Sequence, residues 1–526
     1  MSSNDSSKPE GGEDRVKGVK MANNTPRVSR RKFMTYLGIA GAAAAVGGAA
    51  YLSMTQPSSP TIPGGNQTQP RRPLTIAEPK NPQNYTPDEY YEFIKWLQSV
   101  SDKVAGKQIR IALEAEVGPR ALFRNKVDFD TATGINSLFE FDIYQNNLAK
   151  TLLAVTTKSP TFDVMNIDIA YVGRFKEHLI SIEELSKQFP DLTYPKLNLD
   201  DFERAVWNAT AKYPPDLNFA PYNKTFPGTP VHLPQETPIM IRFYRKDLYQ
   251  AEKRSLPITW DEYLEDCKFF NKPERAQFGT VCMSARFPSI VMEWHNMLYS
   301  FGGKLWNFND DGSISSDVDS EQAIASLEYY VKLHEYAEPT SKFYGWAPAA
   351  DSMKLGRAAN MINFTEFAAD MDVQGESIVV RKIGFDKNPK GAAGQSHHYS
   401  GAGLGVPKYS KNPAAAWLFV QWATVEATQI VTALDPLALA VPTRRSTFSH
   451  PQVQRLISEG TIRHFNVAAD VLKEGTINFK PGFPNWDSAE GILMTNLNNA
   501  VIGEMTPRQA LKDAKAYIDT RGQFAF

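Results

Sequence analysis

Glu114, Glu116 and Asp168 stand where apolar, strand-like segments stop. Gln108 to Leu113 alternates apolar and polar residues like a strand and runs into a loop holding Glu114 and Glu116. Asn146 to Val155 reads as a helix, and Phe162 to Ile167 as a second strand that ends in Asp168, with Tyr171 just beyond. Strand, helix, strand in this order predicts a parallel α/β sheet, and ligands of such sheets gather outside the carboxyl ends of the strands. Carboxylates there can accept hydrogen bonds from a ligand's hydroxyl groups, while aromatic planes cover its C–H faces. Trp346, in the aromatic loop Phe343 to Pro348, and Trp486 are candidates for such planes. Tyr399 and Gly401 mark the start of a glycine-rich strand, where missing side chains let a ligand approach the backbone. Paired carboxylates also serve glycoside hydrolysis, and Glu116, Asp168, Glu236 and Glu366 could supply such a pair.

These groups need a scaffold, and 526 residues are enough for two or three domains. The composition is that of an ordinary soluble globular protein, 42% hydrophobic and 22% charged. A formal net charge of -1 gives no global field for nucleic acid or a membrane surface. Cys267 and Cys282 are the only cysteines, which excludes a disulfide framework and a multi-cysteine metal site; their pairing stays open. Residues 1 to 53 predict a disordered leader followed by an export signal: Ser29-Arg30-Arg31-Lys32-Phe33-Met34 precedes a short Gly- and Ala-rich apolar stretch, Tyr36 to Leu52. The paired arginines resemble a twin-arginine signal, cleaved or retained as an anchor. Residues 54 to 83, rich in Pro, Ser, Thr and Gln, form an extended linker. Signal followed by linker places the folded part outside the cytoplasmic membrane or in the periplasm, close to the membrane. From there Tyr90, Phe93, Ile94 and Leu97 recur at helical spacing.

Other chemistries lack their signatures. There is no Walker-type phosphate loop, no Gly-x-Gly-x-x-Gly after a strand, no His-Glu-x-x-His and no Gly-x-Ser-x-Gly. His397 and His398 are adjacent, so on a strand their rings point apart and share a metal poorly. Basic residues are scattered, without the aromatic-interleaved patch of a nucleic-acid binder. No cofactor is expected.

Phe243-Tyr244-Arg245-Lys246-Asp247-Leu248-Tyr249, followed by Leu256-Pro257-Ile258-Thr259-Trp260-Asp261-Glu262, resembles the extracellular solute-binding proteins of ABC transporters, in the maltose-binding class. Thr259 and Glu262 there make a capping box, and Trp260 reads as a packing residue. Further segments resemble the family in order: Phe301 to Lys304, Leu355 to Met361, Ser400 to Val406 with Ser410 to Trp417, and Pro507 with Ala510 to Ala514.

The resemblance implies an α/β fold of two lobes joined by a hinge, with a ligand cleft between them. By analogy the first lobe holds 84–236 and 384–445, and the second 237–383 and 446–526. It also implies contacts near the crossover at Glu236, on the helix carrying Glu293 and Trp294, and at Phe364, Glu366 and Phe367 after Met361. Phenylalanine stands where the maltose-binding branch shows tryptophan, which argues against a long maltodextrin. The implied function is ligand capture by lobe closure and delivery to an ABC permease, with a carbohydrate or polyol as ligand and no catalysis. A secreted carbohydrate-active hydrolase and a ligand-sensing subunit are the alternatives.

Overall fold

A computed structural model describes residues 88–526, apart from 220–221, 310–312, 521–523 and 525–526. The export signal and linker expected before residue 84 lie outside the described residues. Two separate sheets organise the rest. The first contains β1 (Gln108–Glu114), β2 (Asn136–Asp142), β3 (Val164–Asp168), β4 (Leu179–Ile180) and β5 (Leu233–Glu236). The second contains β6 (Met240–Arg245), β7 (Phe278–Val281), β8 (Ala358–Phe364) and β9 (Ile383–Asp386). The chain then returns as β10 (Ala402–Pro407) to the first sheet.

In the first sheet the order is β2-β1-β3-β10-β4, with β5 also paired to β10. The β1–β2 and β1–β3 pairs are parallel, as the strand-helix-strand pattern predicts. Strand β10 runs antiparallel to β3, β4 and β5, opposing Ala402 to both Asp168 and Glu236. One glycine-rich strand thereby brings together two carboxylates that are far apart in sequence. Gly403 suits this crowding, since a Cβ there would sit 2.5 Å from the His232 ring.

Helices cover the first sheet. In α1 (Asp88–Val100) the stripe Tyr90, Phe93, Ile94 and Leu97 is buried. It packs in one core with Leu122 and Phe129 of α2 (Val117–Thr133) and Trp417 and Trp422 of a late helix, Pro413–Thr424. Between β2 and β3 lies α3 (Tyr144–Thr156).

The second sheet runs β9-β6-β8-β7, antiparallel at β9–β6 and β6–β8 and parallel at β8–β7. Buried Arg242 of β6 donates to Asp386 of β9 and, at 2.9 Å, to the Pro257 carbonyl. The capping box opens α4 (Trp260–Phe270), with both reciprocal bonds made by Thr259 and Glu262. Trp260 is buried and donates to Ser300 Oγ at 2.6 Å, as its packing role requires. Ser300 closes α5 (Pro288–Ser300), every residue of which is buried.

The pairing of β9 with β6 corrects one boundary. The return to the first lobe was expected at residue 384, but Ile383–Asp386 belongs to the second sheet. His397 and His398 also pair away from the first sheet, with Ile477 and Asn478. The returning segment begins only after Tyr399. A four-residue strand with a lysine on each side gives no pattern that assigns it to one sheet or the other.

Among the described residues, no helix is long and apolar enough to cross a membrane, and no group of His, Cys, Asp or Glu could hold a metal ion. Cys267 and Cys282 are buried and free.

Candidate functional site

Strand ends and the turns beyond them build one cleft. Its lining includes Glu114, Glu116, Tyr144, Asp168, Glu236 and Ser400 from the first sheet's side. Trp346, Phe364, Glu366 and Phe367 face it from the elements around the second sheet. The cleft holds about 430 Å³ of empty space, part of it open to solvent. A continuation of about 270 Å³ reaches down past Asn147, Asn166 and Tyr171.

Each carboxylate is placed by its element. Glu114 ends β1, and Glu116 is the N-cap residue of α2. Asp168 ends β3 and is the most fully committed. Its Oδ1 accepts from Ala170 N at 2.6 Å and its Oδ2 from Ser400 Oγ at 2.9 Å. Glu236 ends β5 and is 5% exposed. Its Oε1 accepts from Asn166 Nδ2 at 3.4 Å, and its Oε2 has no partner. Glu366 lies in the turn after β8.

Burial and proximity keep these groups protonated more than carboxylates usually are. Burial raises Glu236 to about 8, helped by the charges of Glu116 and Asp168. Burial also pushes Glu114 and Glu366 well above the carboxylate range, reinforced by the neighbouring carboxylates. Glu116 is raised by burial, offset in part by hydrogen bonds from Glu114 and Glu366 and by the Arg120 charge. Asp168 is raised by burial against the opposing pull of Lys480. Burial and mutual repulsion therefore favour the protonated forms of these glutamates in the free cleft.

Aromatic rings complete the lining. Tyr144 and Trp346 meet edge to face at 5.6 Å, and Trp346 lies 6.3 Å from Phe364. Trp346 Nε1 has no hydrogen-bond partner. Trp346 was expected in a loop; it instead opens a helix, Trp346–Lys354, with Gly345 as its N-cap residue.

Seven residues singled out from the sequence line the cleft: Glu116, Asp168, Glu236, Trp346, Phe364, Glu366 and Phe367. Tyr171 lines its continuation and donates to Glu490 Oε2 at 2.8 Å. Five others are not among the lining residues, and their packing explains why. Glu293 points into the core, accepting from Met283 N at 2.7 Å and from Tyr330 OH at 2.5 Å. Trp294, fully buried on the same helix, donates to Ser326 Oγ at 2.9 Å. Trp486 is fully buried against Trp306. Tyr399 is buried and bonded through its hydroxyl to Thr210 Oγ1 at 2.5 Å. Gly401 makes room for protein, since a Cβ would lie 1.9 Å from the Tyr399 hydroxyl.

Glu114, to which the strand-end rule pointed, joins the cleft, as do Tyr144, Pro238, Ser400 and Ala402. Ser400 and Ala402 flank Gly401, where the Tyr399 ring fills the space of a side chain. Tyr144 opens a helix whose preceding residues carry no turn signal, so nothing local marked it.

Two sheets, each with its own helices, and a cleft lined from both define a two-lobed periplasmic-binding-protein-like fold. The chain belongs to the bacterial extracellular solute-binding protein family, whose model matches residues 125–430. It is 22% identical over 427 residues to a probable amino-acid ABC transporter periplasmic-binding protein of Sinorhizobium fredii, covering 80% of this chain and 91% of that one. Among solved structures it is similar to an ABC transporter solute-binding protein from Agrobacterium radiobacter in complex with ribitol. That match has a TM-score of 0.67 and 22% identity, covering 78% of this chain and 98% of the other. Maltose-bound MalE3 of T. maritima matches with a TM-score of 0.66 and 20% identity, covering 79% and 100%.

Proposed function

We propose that this protein captures a small polyhydroxylated solute, a carbohydrate or polyol, between its lobes and delivers it to an ABC permease. The observation that carries this reading is a single cleft lined by both carboxylates and aromatic rings. Carboxylates accept from hydroxyls; Trp346, Phe364 and Tyr144 offer faces and edges to the C–H skeleton. Glu236 Oε2 and Trp346 Nε1, an acceptor and a donor without partners, are matched to a ligand that presents both kinds of group. The ligands bound in the similar structures, ribitol and maltose, are of this class.

In this reading the ligand contacts are Glu114, Glu116, Asp168, Glu236, Trp346 and Glu366. The first lobe is 84–236 with the segment from about 400 to 445, and the second holds the remainder of the folded chain. Ligand binds the closed form more tightly and shifts the equilibrium towards it, and the permease reads the closed form. The protein acts outside the cytoplasmic membrane, held near it by its N-terminal signal or anchor.

A thermal-shift screen against sugars and polyols tests this. A ligand at about 100 times its dissociation constant adds about 2.7 kcal/mol to stability, a clear upward shift. A folded sample that no sugar or polyol stabilises contradicts the reading.

A further inference from the structure

We propose that the solute carries a protonated amine in addition to its hydroxyls; this rests on the polyol reading above. The geometry points to it through charge. Glu114, Glu116, Asp168, Glu236 and Glu366 all line one cleft, and among the described residues no lysine or arginine lines it with them. The charges of Lys480 and Arg120 act on Asp168 and Glu116, but both side chains also bond to other protein groups. Lys480 Nζ donates to Glu490 Oε1 at 3.0 Å inside the core, and Arg120 Nε donates to the Ala115 carbonyl at 3.0 Å. Asp370, whose charge also acts on Glu116, adds to the negative side.

A neutral polyol brings no positive charge, so beside it these buried carboxylates are accommodated only in their protonated form. An ammonium group supplies both the charge and several donors. A second observation is independent of the acidic count. Glu236 is 5% exposed and lines the cleft, yet its Oε2 accepts from nothing. A ligand N–H fills that vacancy with a charge-assisted bond. The rings of Tyr144, Trp346 and Phe364 in the same lining are suited to a cation as well as to C–H groups.

In the free protein, burial and mutual repulsion hold Glu114, Glu236 and Glu366 above the ordinary carboxylate range, so protons relieve the cluster. An arriving ammonium replaces them, so binding releases protons to the buffer.

Isothermal titration of the full protein with matched pairs tests this: glucosamine against glucose, and 1-amino-1-deoxysorbitol against sorbitol, with putrescine as an amine lacking hydroxyls. The amine member of at least one pair should bind about tenfold tighter or better, the worth of one charge-assisted bond. Its apparent enthalpy should change with the buffer's ionisation enthalpy in the sense of proton release. The double variant Glu114→Gln/Glu366→Gln should shrink the amine preference. Neutral members binding as tightly as their amines, without proton release, overturns the amine and leaves the polyol reading intact. Putrescine alone binding keeps the amine and overturns the polyol reading. No binding by any member to folded protein counts against both.

Discussion

Glu293 and Glu236 are both buried glutamates, and their surroundings give them opposite duties. Glu293 is raised to about 7 by burial, but a backbone amide and the Tyr330 hydroxyl satisfy it. Glu236 keeps an oxygen without a donor beside open space. Glu293→Ala should therefore cost about 2–3 kcal/mol of stability by orphaning its donors, while ligand affinity stays within error; denaturation and titration of the same sample check both. Lys480→Met should cost about 3–5 kcal/mol in denaturant unfolding, because it strands Glu490 uncompensated in the core. Sequence made Glu116 and Asp168 visible because strand ends are where ligands gather. It did not separate Trp346 from Trp294 and Trp486, since a tryptophan's type does not reveal which way its helix turns it. The hydrogen bond from Trp294 to Ser326 closes a core that only tertiary packing assembles.

Strand ends are also where the pH response originates. Glu236 ends β5 with a pKa of about 8 in place of the ordinary 4.5. Below the ordinary value it is protonated both folded and unfolded. As pH rises from about 4.5 to about 8, the unfolded chain gives up that proton and the folded chain holds it, so stability falls through this window and then levels. Glutamine mimics the protonated acid and does not titrate. Glu236→Gln should match the parent's Tm near pH 4.5 and exceed it by about 2 °C or more near pH 8. A constant Tm difference across that range contradicts the burial assigned to this carboxylate. The capping box at Thr259 and Glu262 was legible because its chemistry is local, and Thr259→Ala should lower stability by about 1 kcal/mol. Strand β9 was less legible: its partner β6 lies far back in the chain, and pairing at that distance leaves no mark on four residues.

The two sheets meet at a cleft because the chain crosses between them more than once. β5 leads directly into β6, and β10 brings the chain back beside β3 and β5. This return sets Asp168 and Glu236 opposite the same residue, Ala402, so acidic groups from distant segments share one wall. The ordered family motifs made the two-lobed architecture readable, whereas the composition of the cleft depended on which side chains survived packing. The core took Glu293, Trp294, Tyr399 and Trp486, and the cleft kept Glu114 and Tyr144. Closure of the lobes on ligand should lower the radius of gyration in solution scattering. The most direct measurement of the central claim is titration calorimetry of the best ligand from the sugar and polyol screen against the parent and Trp346→Ala. Loss of the ring that bridges Tyr144 and Phe364 should weaken binding about tenfold or more, with the free protein still folded. Equal affinity in the two proteins would place the ligand outside this cleft and contradict the account.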